Sequence, residues 1–85
     1  MQNTTTIEQT VKAYILEEFL PGEDPSQLTP STELISTGIL DSLATLRLVA
    51  FLEKEFSIAI GAHEADSENL ATIARIVRLV QLKLS

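Results

Sequence analysis

The run Gly38-Ile39-Leu40-Asp41-Ser42-Leu43 ends a stretch rich in turn residues and opens one with helical periodicity, so it sets a serine hydroxyl at the first turn of a helix. There the backbone N–H groups lack acceptors and the helix dipole favours negative charge. A phosphate ester on Ser42 would therefore be well placed. Asp41 can cap the same helix and also offer a carboxylate to a basic or metal-bearing modifying enzyme. Taken by itself, an Asp-Ser pair at a helix start is ordinary capping. His63, the single histidine, lies near Glu64, Asp66 and Glu68, which raises a metal site or an acid/base pair. With no second histidine to complete a ligand set, that short polar segment reads as solvated surface. A hydrolase built on Ser42 and His63 lacks an evident third orienting residue and an oxyanion pocket. The chain has no cysteine, so disulfides, CxxC metal sites and thiol nucleophiles are excluded.

Three helical stripes would position these groups. Ile7, Val11, Ile15 and Phe19 recur every four residues, with Tyr14 adjoining. Two overlapping capping boxes, Thr5 with Glu8 and Thr6 with Gln9, could start that helix, and Pro21-Gly22 stops it. Residues 20–40 carry three prolines and two glycines without persistent periodicity, which predicts a long loop. A loop of that length needs a function or an anchor, and Leu28, Leu34, Ile35, Ile39 and Leu40 can supply the anchor. The second helix should run from 41 or 42 to 56, with Thr45, Leu48, Val49, Leu52 and Phe56 as its core stripe. Leu43, Leu46 and Ala50 form a second apolar group flanking the direction of Ser42. This surplus face predicts a partner surface, unless the long loop covers it. Residues 57–67 are irregular, with Ile58 and Ile60 alternating and room for one helical turn within 62–66. The last helix places Leu70, Ile73, Val77, Val80 and Leu84 on one face with Ile76 at its border. Either Asn69 or Thr72 could cap it, and Arg75, Arg78 and Lys83 suit its C-terminal half.

With 85 residues, the chain is expected to form a single domain, committing most of its apolar residues to one small core. Twelve acidic against six basic residues give a net charge of −6, which disfavours nucleic acid and anionic membranes as partners. Glu17, Glu18, Glu23 and Asp24 read as a solvated acidic patch. No run approaches a membrane span, and the first residues lack the pattern of a secretory signal, so the expected location is cytoplasmic.

The motif Thr37-Gly38-Ile39-Leu40-Asp41-Ser42-Leu43, followed by Leu48-Val49 and by Leu52-Glu53-Lys54-Glu55-Phe56-Ser57-Ile58, resembles the acyl carrier and peptidyl carrier protein family. The stretch from Glu68 to Ile73 also looks like the approach to the last helix of freestanding carriers. The resemblance implies an all-α, four-helix bundle with a long first loop and a short third helix. It implies that Ser42 receives 4′-phosphopantetheine from coenzyme A through a phosphopantetheinyl transferase, with Asp41 and Leu43 as recognition residues. Such a protein is not an enzyme: it holds acyl or aminoacyl groups as thioesters and presents them to partner enzymes. Carriers of bulk fatty-acid synthesis show acidic residues just after the motif, where this chain has Ala44 and Arg47. Recognition is therefore expected through Leu43, Leu46, Arg47, Ala50 and Phe51, by a separate acyl- or aminoacyl-loading ligase and downstream transferases, with the carrier a monomer. A reading of another class is a helical interaction module with no prosthetic group.

Overall fold

A computed structural model of the chain describes residues 4–22 and 24–84. Helix α1 spans Thr4–Phe19, a short 3-10 turn Pro25–Gln27, α2 Ser42–Phe56 and α3 Ile73–Leu84. No strand occurs among the described residues, so the fold is all-α. The expected short third helix is not formed. Residues 61–70 instead make two separate turns, with the Ala65 N–H donating to Gly61 O at 3.1 Å and the Leu70 N–H to Asp66 O at 3.2 Å. Gly61 O also accepts the Glu64 N–H at 2.9 Å, and isolated single turns of this kind do not propagate cheaply. Within the second turn the Asp66 carboxylate caps the Asn69 N–H at 2.8 Å.

Helix α1 buries Ile7, Val11 and Ile15, chiefly against α3. It already includes Thr5 and Thr6, so neither anticipated capping box is its boundary. Pro21-Gly22 ends it as expected, with Gly22 in the left-handed region at φ 86°. In α2 the core stripe is Ala44, Leu48, Leu52 and Phe56, while Thr45 and Val49 are half-buried. The four-residue repeat set by Leu48, Leu52 and Phe56 runs back to Ala44 rather than Thr45. Helix α3 buries Ile73, Ile76, Val77, Leu79 and Val80. Leu84, expected in the core, is exposed: Gln81, a turn before it, already bonds Thr4 at the first described turn of α1.

The long loop is anchored as its leucines predict. Leu28, Leu34 and Leu40 are buried, and Ile35 and Ile39 pack against the same core. Its backbone also completes the start of α3, where the Ala74 N–H donates to Pro30 O at 3.0 Å and the Leu34 N–H to Ala71 O at 2.8 Å. Thr72 is the cap of that helix, accepting the Arg75 N–H at 3.2 Å. Asn69, the other candidate, donates its side-chain amide to Glu64 O at 3.0 Å.

Candidate functional site

The approach to Ser42 is built by a tight turn between two buried leucines. Gly38 donates its N–H to Ile35 O at 3.0 Å, and the Leu40 N–H returns to Leu34 O at 2.8 Å. Thr37 adds a hydroxyl bond to Glu33 O at 2.7 Å. Gly38 stands at φ 82° with open space where a Cβ would project, so backbone conformation rather than crowding favours glycine there. Leu34 and Leu40 thus hold Asp41 in register with α2.

Asp41 is extended, at φ −85° and ψ −173°, and its Oδ1 accepts the Ala44 N–H at 2.8 Å. Its backbone oxygen takes the Thr45 N–H at 2.9 Å. Ser42 is the first helical residue and is exposed. The N–H groups of Ser42 and Leu43 have no intrahelical acceptor at these positions, so they remain available to an anion beside the Ser42 oxygen. Ser42 lines an open cleft of about 640 Å³ together with Leu40, Thr45 and Leu46 from the loop and α2 and with Ala65, Asp66 and Ser67 from the segment before α3.

The surplus face of α2 is open. Leu43 and Leu46 are 61% and 68% exposed, and Arg47 and Ala50 are exposed beside them, so the long loop does not cover it. Phe51 differs from that group. It is half-buried and stacked on Tyr14, ring centroids 3.9 Å apart, while the Tyr14 hydroxyl donates to Arg47 O at 3.2 Å. Phe19 meets the edge of the same Tyr14 ring, which makes this cluster a brace between α1 and α2. Ala44 is likewise core and offers nothing to a partner.

The acidic residues near His63 do not gather. Asp66 caps Asn69, while Glu64 accepts the Gly61 N–H and pairs with Lys83; these two bonds hold the Glu64 carboxyl below the usual range. Among the described residues no three His, Asp or Glu side chains converge as metal ligands. His63 is exposed and is not part of the Ser42 cleft. The far wall of the cleft, residues 65–67, was missed by sequence reasoning, because a segment without periodicity gives no signal of what it faces.

Such an arrangement can display a modified hydroxyl at the start of a helix. The phosphopantetheine attachment site family matches residues 9–80. The probable acyl carrier protein PigG of Serratia sp. is 37% identical over 75 residues, covering 88% of this chain and 85% of that protein. An acyl carrier protein of Thermotoga maritima is 34% identical over 84 residues, covering 99% of each. A D-alanyl carrier protein of Streptococcus pyogenes is 33% identical over 76 residues, covering 89% of this chain and 92% of its own. The chain therefore belongs to the phosphopantetheine-binding carrier proteins. It is a carrier of acyl groups rather than an enzyme, and its cofactor is covalently bound 4′-phosphopantetheine, which supplies the thiol that the cysteine-free chain lacks. An exposed hydroxyl at a helix start beside an open cleft fits a phosphodiester and a flexible arm.

Proposed function

We propose that Ser42 is the residue that carries the arm and that the chain acts as one carrier domain, holding acyl or aminoacyl thioesters in a specialised pathway. The observation that carries this reading is the exposed Ser42 at the first position of α2, next to the Asp41 cap and open to the cleft. In the transfer, the Ser42 oxygen would bond to the phosphorus of coenzyme A nearest the pantetheine. Its proton would leave to the transferase, and adenosine bisphosphate would depart. The carrier then does no bond chemistry. It raises the effective concentration of the thioester at successive active sites by tethering it to a rigid helix end.

Residues 61–70 stand where the family's short third helix is expected. Leu43 and Asp41 serve the transferase, and Leu46, Arg47 and Ala50 serve the loading ligase and later transferases, with Phe51 supporting from behind. An exposed Arg47 where bulk fatty-acid carriers are acidic favours partners other than housekeeping fatty-acid enzymes. The D-alanyl carrier among the relatives supports an aminoacyl cargo, and the two acyl carrier proteins an acyl one. Fatty-acyl or polyketide cargo is the runner-up, and assay of which ligase loads the phosphopantetheinylated protein decides between them. A monomer in the cytoplasm, where coenzyme A is at hand, completes the reading.

Intact mass provides the test of Ser42. Incubated with coenzyme A and a broad-specificity phosphopantetheinyl transferase, the native chain and a Ser67→Ala variant should each gain one phosphopantetheine. Ser42→Ala should gain none. Modification of Ser42→Ala, or none of the native chain, would overturn the assignment.

A further inference from the structure

The cleft beside Ser42 has one wall made of helix and one made of loop. The loop wall, Ala65 to Ser67, follows directly on Glu64, and Glu64 is the most heavily bonded side chain of residues 61–70. Its Oε1 lies 2.7 Å from Lys83 Nζ and also accepts the Gly61 N–H at 2.9 Å. The Glu64 and Lys83 side chains are only 25% and 28% exposed, so the pair is partly shielded from water. Lys83 stands in the last turn of α3, whose Ile76, Leu79 and Val80 are fixed in the core. The bond therefore fastens the loop to a rigid element.

Other fastenings are fewer toward the wall itself. At the start of the segment the Ile60 N–H donates to Glu53 Oε2 of α2 at 2.9 Å. Beyond Glu64, and before buried Leu70, the described polar link to another element is Glu68 with Arg75, at 3.8 Å and with both side chains mostly exposed. A pair of that kind contributes little. The wall is thus held by the Glu64 fastening, by the half-buried Ala65 against the core and by buried Leu70, while Asp66, Ser67 and Glu68 are exposed.

We propose that Glu64 and Lys83 are positioning residues that latch this wall, and so set how far a thioester tethered at Ser42 is shielded from water. The proposal rests on the reading of Ser42 as the attachment residue. With the latch closed, Ala65 and Ser67 stay opposite Thr45 and Leu46; with it broken, residues 65–69 move away and the cleft opens. The Gly61 turn and the Asn69 contact to the Glu64 backbone act on the same segment without linking it to α3.

Two measurements test this separately. Glu64→Gln keeps an oxygen for the Gly61 N–H but removes the charge, and Lys83→Met removes the cation alone. On the protein without its arm, hydrogen exchange of the Ala65 and Leu70 amides should quicken about tenfold in either variant, and no further in the double variant. The Val11 and Leu48 amides should keep their native rates. Unchanged exchange at Ala65, or effects that simply add in the double variant, would overturn the latch. On the phosphopantetheinylated protein loaded with an octanoyl group, hydroxylamine should cleave the thioester about threefold faster in each variant. Faster exchange with unchanged cleavage would overturn the shielding role. Should Ser42 refuse the arm, the attachment reading falls and the shielding role with it, while the exchange result on the unmodified chain still decides the latch.

Discussion

The wall of the cleft formed by residues 34–42 and α2 stands on buried leucines, whereas the opposite wall, residues 61–70, combines polar side-chain bonds with the apolar contacts of Ala65 and Leu70. Leu34 and Leu40 are almost wholly removed from water, and the turn between them places Asp41 and Ser42. On the other side Glu53, Glu64, Asp66 and Asn69 each bond a backbone group of the segment, and Lys83 completes the set. Apolar burial responds weakly to pH and salt, while charge-assisted bonds respond strongly.

The largest expected effect comes from breaking the apolar wall. Leu34→Ala removes a fully buried side chain and should lower unfolding free energy by about 2–5 kcal/mol. Urea denaturation followed by circular dichroism checks it, and a loss below about 1 kcal/mol would mean that the loop is not anchored there. A smaller loss, about 1 kcal/mol, is expected for Asp41→Ala, which leaves the Ala44 N–H without its cap. Asp41→Asn should retain most of that stability while slowing phosphopantetheine transfer, because it keeps the cap but not the charge. If both variants lose stability equally, the carboxylate and not the hydrogen bond holds the helix start.

The same contrast explains what was legible in the sequence. The leucine-anchored loop, the three helical stripes and the Asp41-Ser42 helix start could be read because burial and capping leave residue-type signals at fixed spacing. The open apolar face at Leu43 and Leu46 was legible as a surplus beyond what one core requires. Ala44 was left out of the expected core stripe in favour of Thr45, since a small apolar residue fits a core or a surface equally. Phe51 was placed on the partner face, but its stack on Tyr14 depends on how α1 crosses α2, which periodicity does not encode. Residues 61–70 were opaque for a deeper reason. Their turns close through short local bonds that leave no periodic pattern, and their link to α3, Glu64 with Lys83, joins residues distant in sequence that no local pattern marks.

Acidification should separate the two walls. Glu64 is held below its ordinary value near 4.5, first by the bond to Lys83 and then by the Gly61 N–H, with His63 adding a weaker pull in the same direction. A carboxyl depressed by folding contributes stability above its unfolded value, and that contribution is lost as pH falls through its lower folded value. Below about pH 4.5, therefore, the protection of residues 61–70 should decline before that of α1 and α3. Exchange rates corrected for intrinsic chemistry would show it, and a uniform decline across the chain would contradict it. Lys83→Met should remove most of this pH dependence at Ala65.

The smallest effects lie at two left-handed residues, one at the foot of each wall, and they should have opposite signs. Gly38, in the turn of the apolar wall, stands at φ 82° with free space around its absent Cβ. Gly38→Ala therefore meets backbone strain but no clash, and should cost about 1 kcal/mol. Ser57, which closes α2 before the polar wall, stands at φ 55° and ψ 47°, where a side chain is disfavoured and glycine is the usual helix cap. Its neighbour Ile58 returns an N–H to Glu53 O at 3.2 Å, so the turn is already formed and only the strain remains. Ser57→Gly should stabilise the protein by about 0.5 kcal/mol, the relief of that strain less the extra freedom glycine gives the unfolded chain. Thermal denaturation of the two variants side by side measures both. Loss of stability in Ser57→Gly would mean that the serine side chain supports the start of the polar-bonded wall, whose side-chain bonds would then extend back into the end of α2.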